Sequence, residues 1–258
     1  MIRFDCHAHV YERITPVEGA RYAPERPASL HHWLAQQKQA GLSGGVIVQI
    51  SFLGTDNSQM LGALSRLDRN RFAGIACVPL DAPEVEIAEL AAAGVRGIRW
   101  NLVAGAPLPD PRAREARRLL DMLAAHDMHL EVQLESTRWV GYLDALSTAP
   151  VPVVIDHLGL PEGADAIVEP WLTAIETCTR RERFYVKASA PYRGSVDARG
   201  HLDTLDRAIR LLGPNRVIWG SDWPHTRFEK VATYDGLYDE VAGRIDDRDA
   251  AQALYDIG

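Results

Sequence analysis

Cysteine is scarce in this chain: Cys6, Cys77 and Cys178 are the three among 258 residues, far apart in sequence. An odd, sparse set excludes a disulfide framework and reads as reduced thiols, so a cytoplasmic protein is expected. No run approaches the ~18 consecutive apolar residues of a membrane helix, and Met1-Ile2-Arg3-Phe4-Asp5 has no signal-peptide core, so no membrane partner is expected. Basic residues are outnumbered, 28 against 35 acidic ones, for a formal charge of −7. That balance argues against a nucleic-acid surface, which needs clustered positive charge, but leaves room for a positive pocket that takes a small anion. There is no Ser/Gly linker, low-complexity tract or block of like charge. The expectation is one domain over residues 1–258.

What is present is an alternation. Short β-branched runs fall at Ile2–Val10, Gly45–Ile50, Phe72–Val78, Val95–Asn101, Met128–Leu134, Val151–Asp156, Arg183–Ala188 and Arg216–Gly220. Between and after them lie amphipathic stretches at Ser29–Ala40, Asn57–Leu67, Pro83–Ala93, Pro111–His126, Arg138–Ser147, Ala164–Arg181, Gly200–Leu212 and from Phe228 onward. Leu119, Leu120, Met122 and Leu123 follow a helical period, whereas Val151, Val153 and Ile155 alternate as a strand does. Ala40-Gly41 and Ala93-Gly94 end helices with a residue that accepts positive φ. Eight such units predict an α/β fold, a (β/α)8 barrel. The rival, a doubly wound open sheet, would carry a glycine-rich phosphate loop after its first strand. Asp5-Cys6-His7-Ala8-His9 stands there instead.

In a barrel of this type the chemistry lies at the C-terminal strand ends. Those ends carry Asp5, His7 and His9; Gln49 and Ser51; Arg99 and Asn101; Gln133 and Glu135; Asp156 and His157; Lys187, Ser189 and Arg193; and Ser221, Asp222 and His225. His7 and His9 are two apart and share one strand face, as do Arg99 with Asn101 and Lys187 with Ser189. So many ionisable groups at one end would be costly to bury without a use. Arg99 also has a bland reading, as an interior charge satisfied by Glu131 or Glu135, and Lys187 another, as a partner of Asp156. Isolated histidines such as His31, His32, His126 and His129 read as structural.

These residues carry a resemblance. Asp5-Cys6-His7-Ala8-His9 matches the D-x-H-x-H signature of the amidohydrolase superfamily. Asp156-His157-Leu158-Gly159 and Gly220-Ser221-Asp222-Trp223-Pro224-His225 resemble its amidohydrolase-2 branch. Arg96-Gly97-Ile98-Arg99-Trp100-Asn101 and Lys187-Ala188-Ser189-Ala190-Pro191-Tyr192-Arg193 are similar to the group around 2-pyrone-4,6-dicarboxylate lactonase. The resemblance implies a hydrolase that opens a carboxylated lactone, a small anionic substrate, at the barrel mouth. It implies Asp222 as general base and His7, His9 and His157 as donors or positive charges that polarise the carbonyl. Arg99 and Arg193 would hold the substrate carboxylate, with Ser51, Asn101, Gln133 and His225 as further substrate contacts. The alternatives are a sugar-acid lactone isomerase, a metal-dependent decarboxylase or hydratase of the same branch, and an idle barrel that only binds a sugar acid.

The binuclear centre of the superfamily needs a modified lysine at strand 4 and a histidine at strand 5, where this chain has Arg99 and Gln133. No cofactor is expected; a single Zn²⁺ on His7, His9, His157 and Asp222 is the alternative. The resembled group carries an arginine where Leu160 stands, and further basic residues where Val103-Ala104-Gly105-Ala106 follow strand 4. Fewer cations imply a substrate with one carboxylate. The chain ends at Tyr255-Asp256-Ile257-Gly258, where that group continues into an Asn-Pro-containing turn, so a shortened last helix or a truncated chain is expected.

Overall fold

A computed structural model of the chain describes residues 1–163 and 165–258. Eight strands, β1 (Phe4–Ala8), β2 (Gly44–Val48), β3 (Phe72–Ala76), β4 (Val95–Asn101), β5 (His129–Gln133), β6 (Val153–Ile155), β7 (Phe184–Ser189) and β8 (Val217–Gly220), pair in parallel in chain order. The sheet returns on itself where the Asp222 amide donates to the His7 carbonyl and the His9 amide to the Trp223 carbonyl, both at 2.8 Å. The (β/α)8 barrel expected from the alternation is the fold observed.

The surrounding helices are α1 (Leu30–Gln39), α2 (Ser58–Leu64), α3 (Glu84–Ala92), α4 (Arg114–Ala125), α5 (Tyr142–Leu146), α6 (Pro170–Thr177), α7 (Ala198–Leu212), α8 (Tyr234–Val241) and α9 (Arg248–Tyr255). α4 buries Ala116, Leu119, Leu120 and Leu123, the three-to-four spacing that puts one apolar stripe on the barrel. Asp197 starts α7 by accepting from the Gly200 amide at 2.8 Å, filling an orphan donor of the first turn.

Three expectations need correction. The helix expected over 138–147 is a 3₁₀ turn, Ser136–Trp139, followed by the short α5, because Gly141 at φ 78° takes a left-handed conformation between them. The stretch from Phe228 onward is two helices rather than one; α8 starts only where the Thr233 side chain accepts from the Gly236 amide. β6 starts after Pro152, which has no N–H for the ladder, so the run from Val151 is trimmed. The expected start of the sixth helix at Ala164 lies outside the described residues, and α6 opens on Pro170.

The barrel interior is filled by Phe4, Cys6, Val46, Val48, Ala73, Ile75, Val154 and Ile218, and α9 seals its lower end with Ala250, Leu254, Tyr255 and Ile257. Among the described residues no helix is long and apolar enough to cross a membrane.

Candidate active site

The contacts that close the barrel also build the site. His7 and His9 flank the point where β1 meets the chain leaving β8, and Ala8 bridges Trp223. Gly220 permits this approach: a Cβ there would stand 2.5 Å from the His7 Cβ. Asp222 at φ 56° and His157 at φ 53° both turn off their strands in the left-handed region, which short polar side chains tolerate at some cost.

The result is one carboxylate oxygen among three imidazoles. Asp222 Oδ1 lies 3.5 Å from His9 Nε2, 3.8 Å from His7 Nε2 and 3.9 Å from His157 Nε2. It is buried and has no hydrogen-bond partner, as is His7 Nε2. The other carboxylate oxygen is occupied: Tyr192 Oη donates to Oδ2 at 2.8 Å and Arg193 Nε at 2.7 Å. The carboxylate is therefore held by one oxygen and free at the other. Burial alone would push its pKa up, but the Arg193 guanidinium holds it well below the usual carboxylate range.

Burial and nearby cations push the His157 imidazole down to about 3, and burial with Lys187 lowers His7 well below its usual value. Both rings are neutral at neutral pH, so the positive charge expected of the histidines falls to Arg99 and Arg193. His9 Nδ1 meets the Val48 carbonyl at 2.8 Å. A carbonyl only accepts, so the His9 proton is assigned to Nδ1 and its Nε2 lone pair faces Asp222. In this tautomer His9 presents an acceptor to the site.

Arg99 is buried. Its Nε donates to Asp156 Oδ2 and its Nη2 to Gln133 Oε1, each at 2.7 Å. Its partners are Asp156 and Gln133, not the Glu131 or Glu135 of its bland reading. Lys187 Nζ pairs with Glu131 Oε2 at 2.6 Å and stands 3.4 Å from Asp156 Oδ1. Asp5 does not face the mouth. It points to the helix layer, where Oδ2 accepts from Trp33 Nε1, Ser221 Oγ and Tyr234 Oη, tying β1, β8, α1 and α8 together. Gln49 braces the loop after β2 through the Gly54 and Asp56 carbonyls. His225 lies behind the site, its Nδ1 3.2 Å from Tyr192 Oη.

Above this floor is a cavity of about 200 Å³ lined by His9, Ser51, Arg99, Asn101, Gln133, His157, Arg193 and Asp222, together with Arg21, Tyr22 and Arg227. It adjoins a second cavity of about 600 Å³ that shares Arg21, Ser51, Arg99 and Asn101. The expectation of a cation-poor mouth is corrected here. Arg21 and Arg227 join Arg99 and Arg193, so four arginines line the cavity. Arg21 comes from the long connection between β1 and α1. That segment is pinned by paired Tyr11 and Ala28 backbones and by the Val17 amide on the Phe52 carbonyl. Arg21 Nη2 donates to Asn101 Oδ1 at 3.1 Å, and Ser51 Oγ donates to Tyr22 Oη at 3.1 Å. Sequence spacing gave no sign of these two; the length of the connection was the available signal, since long ordered loops at a barrel mouth carry function.

The donor atoms are of the kind zinc takes, in the groups His7–His9–Asp222 and His7–Asp156–His157. Their surroundings do not fit a dication. Lys187 Nζ is 3.3 Å from His7 Nδ1, Arg99 Nη2 3.4 Å from His157 Nε2, and Arg193 Nε 2.7 Å from Asp222. Permanent cations on so many of the would-be ligands oppose a Zn²⁺ electrostatically.

The amidohydrolase family model matches residues 4–256. The chain is 28% identical over 251 residues to the 2-pyrone-4,6-dicarboxylate hydrolase of Comamonas testosteroni, covering 90% of this chain and 80% of that relative. It is 27% identical over 234 residues to the 4-sulfomuconolactone hydrolase of Rhizobium radiobacter, covering 87% and 76%. A crystal structure of a probable 2-pyrone-4,6-dicarboxylic acid hydrolase from Acinetobacter baumannii, with citric acid bound, superposes at a TM-score of 0.89 with 27% identity, covering 100% of both chains.

Proposed function

Because the chain belongs to the amidohydrolase family, we propose that it is a lactonase: it opens a carboxylated lactone by attack of water on the ring carbonyl. The observation that carries this reading is the free, buried Asp222 Oδ1 at the floor of an arginine-lined cavity. A water seated over Asp222 Oδ1 and His9 Nε2, which lie 3.5 Å apart, is held by both acceptors and presents its oxygen to the carbonyl. Asp222 takes the proton as the C–O bond forms and passes it to the ring oxygen as it leaves. The carbonyl oxygen gains charge in that step and is met by the His7 Nε2 donor, 3.8 Å from Asp222 Oδ1. Arg99 and Arg193, with Arg21 and Arg227, receive the anionic substituents.

The relatives named for dicarboxylate and sulfonated lactones support an anionic substrate. The test is a panel of aldonate, aldarate and muconate lactones assayed by acid release. Hydrolysis of a lactone releases one proton per turnover and isomerisation releases none, so the same assay separates the two. No turnover on any anionic lactone would overturn the reading.

Arg21 and Arg227 are exposed. Replacing either with Gln is expected to raise KM for an anionic lactone about tenfold, the value of one charge-assisted hydrogen bond partly screened by water, with kcat unchanged. A fall in kcat without a change in KM would remove them from substrate binding.

The reading is metal-independent. The purified protein is expected to keep its activity after dialysis against a strong chelator and to hold clearly less than one equivalent of zinc. Stoichiometric zinc by elemental analysis, with activity lost on chelation and restored by Zn²⁺, would overturn this and favour a metal-dependent reaction.

A further inference from the structure

We infer that Lys187 is a positioning residue: it fixes the tautomer of His7 so that this ring donates a hydrogen bond into the site, and by the same contact it makes His7 unfit to ligate zinc. Lys187 is fully buried on β7, beneath the site and away from the cavity. Its Nζ donates to Glu131 Oε2 at 2.6 Å and stands 3.3 Å from His7 Nδ1. Glu131 is itself anchored, because Oε1 accepts from Tyr255 Oη of α9 at 2.9 Å and lies 3.3 Å from His129 Nε2. The ammonium therefore has one place to stand.

An ammonium carries only donors. The His7 Nδ1, nearer to this ammonium at 3.3 Å than to Asp156 Oδ1 at 3.5 Å, presents its lone pair, which puts the ring proton on Nε2. That Nε2 is buried, has no hydrogen-bond partner, and points to the space beside Asp222 Oδ1 at 3.8 Å. The other two rings are set the opposite way. His9 gives its Nδ1 proton to the Val48 carbonyl. His157 has Nδ1 at 2.9 Å from Ser189 Oγ, and its Nε2 meets a guanidinium donor, Arg99 Nη2, at 3.4 Å. Three histidines that look alike in sequence thus divide into one donor and two acceptors.

The same contact bears on metal. A histidine that ligates through one nitrogen gives the proton on its other nitrogen to a carbonyl or carboxylate. His9 has such an acceptor; His7 faces a donor instead. An acceptor does wait beside His7: Asp156 Oδ1 is 3.5 Å from Nδ1, buried and without a hydrogen-bond partner. With Lys187 made neutral, Nδ1–H turns to Asp156 and the Nε2 lone pair faces His9 and Asp222, which is the arrangement of a zinc site.

The use of the His7 proton in catalysis rests on the lactonase reading; the tautomer does not. The full chain carrying ¹⁵N-histidine is examined by long-range ¹H–¹⁵N correlation, and the wild-type His7 proton is expected on Nε2. Lys187→Met is paired with Glu131→Gln so that no charge is left buried alone. In this double variant the proton is expected on Nδ1. Zinc chloride titrated by calorimetry is expected to bind at one equivalent, about 10–100-fold more tightly than to wild type. Loss of one donor to the developing oxyanion is expected to lower kcat about 10²–10³-fold. A wild-type His7 proton on Nδ1 would overturn the inference with no substitution needed, as would a folded double variant that keeps it on Nε2 or gains no zinc affinity. A lactone panel without a substrate would overturn the hydrolase reading and leave the tautomer and zinc measurements to stand by themselves.

Discussion

Asp222→Asn is expected to lower kcat about 10²–10⁴-fold, the range a general base contributes, while KM stays within about threefold. The substitution suits the geometry. The amide oxygen can take the place of Oδ2 and accept from Tyr192 Oη and Arg193 Nε, now 2.8 and 2.7 Å away. The amide NH₂ then points toward the His9 Nε2 lone pair, 3.5 Å from the present Oδ1. Arg193 loses its counter-charge, but its side chain is 21% exposed, so water reaches it. The fold and the arginine-lined cavity survive; the proton acceptor does not. Since Arg193 outweighs burial and holds the Asp222 carboxyl well below its usual range, the base is already ionised above about pH 4. The acid limb of kcat/KM that belongs to this group is expected below that value, and activity is lost as pH falls through it. Turnover in Asp222→Asn within threefold of wild type would remove Asp222 from the mechanism.

The strand-end residues were legible in the sequence because a barrel strand fixes where its last residues point. His7, His9, Arg99, Asn101, His157 and Asp222 could be placed at one mouth by period and order alone. Asp5 shows the limit. It belongs to the same signature, but β1 shifts register between Asp5 and Ala8, and Asp5 turns to the helix layer. The pairing inside the barrel was not legible either. Whether Arg99 meets Asp156 or Glu131 depends on the height of each residue across the barrel, which spacing along one strand does not give. Arg21 and Arg227 were invisible for another reason: an irregular connection has no period, and its path is set by tertiary contacts such as Val17 on Phe52. The break at Gly141 needed only one residue in a left-handed conformation to divide an amphipathic stretch that otherwise reads as continuous.

Arg99→Met is expected to be the most destabilising of the site substitutions, before any effect on turnover. Arg99 is 4% exposed and Asp156 fully buried, and their 2.7 Å contact is the shortest that Asp156 makes to a cation. Burial pushes the guanidinium pKa down, yet Asp156 raises it above its ordinary value, so the pair is charged as built. Without Arg99 the carboxylate keeps Lys187 at 3.4 Å and His7 at 3.5 Å, both on its other oxygen. Removing one partner of a buried pair typically costs about 3–5 kcal/mol, because a charge is left without compensation. At about 2–4 °C per kcal/mol for a chain of this size, Tm is expected to fall by roughly 6–20 °C. Adding Asp156→Asn should recover most of that loss, and a double variant no more stable than Arg99→Met would show that the pair is not the cause. The double variant then isolates the substrate contact. Its kcat/KM is expected to fall much further for a carboxylated lactone than for a neutral lactone of the same ring, since a guanidinium that meets a carboxylate matters only where the carboxylate is present. Equal losses on the two substrates would leave Arg99 as a structural partner of Asp156 and move recognition of the anion to Arg193, Arg21 and Arg227.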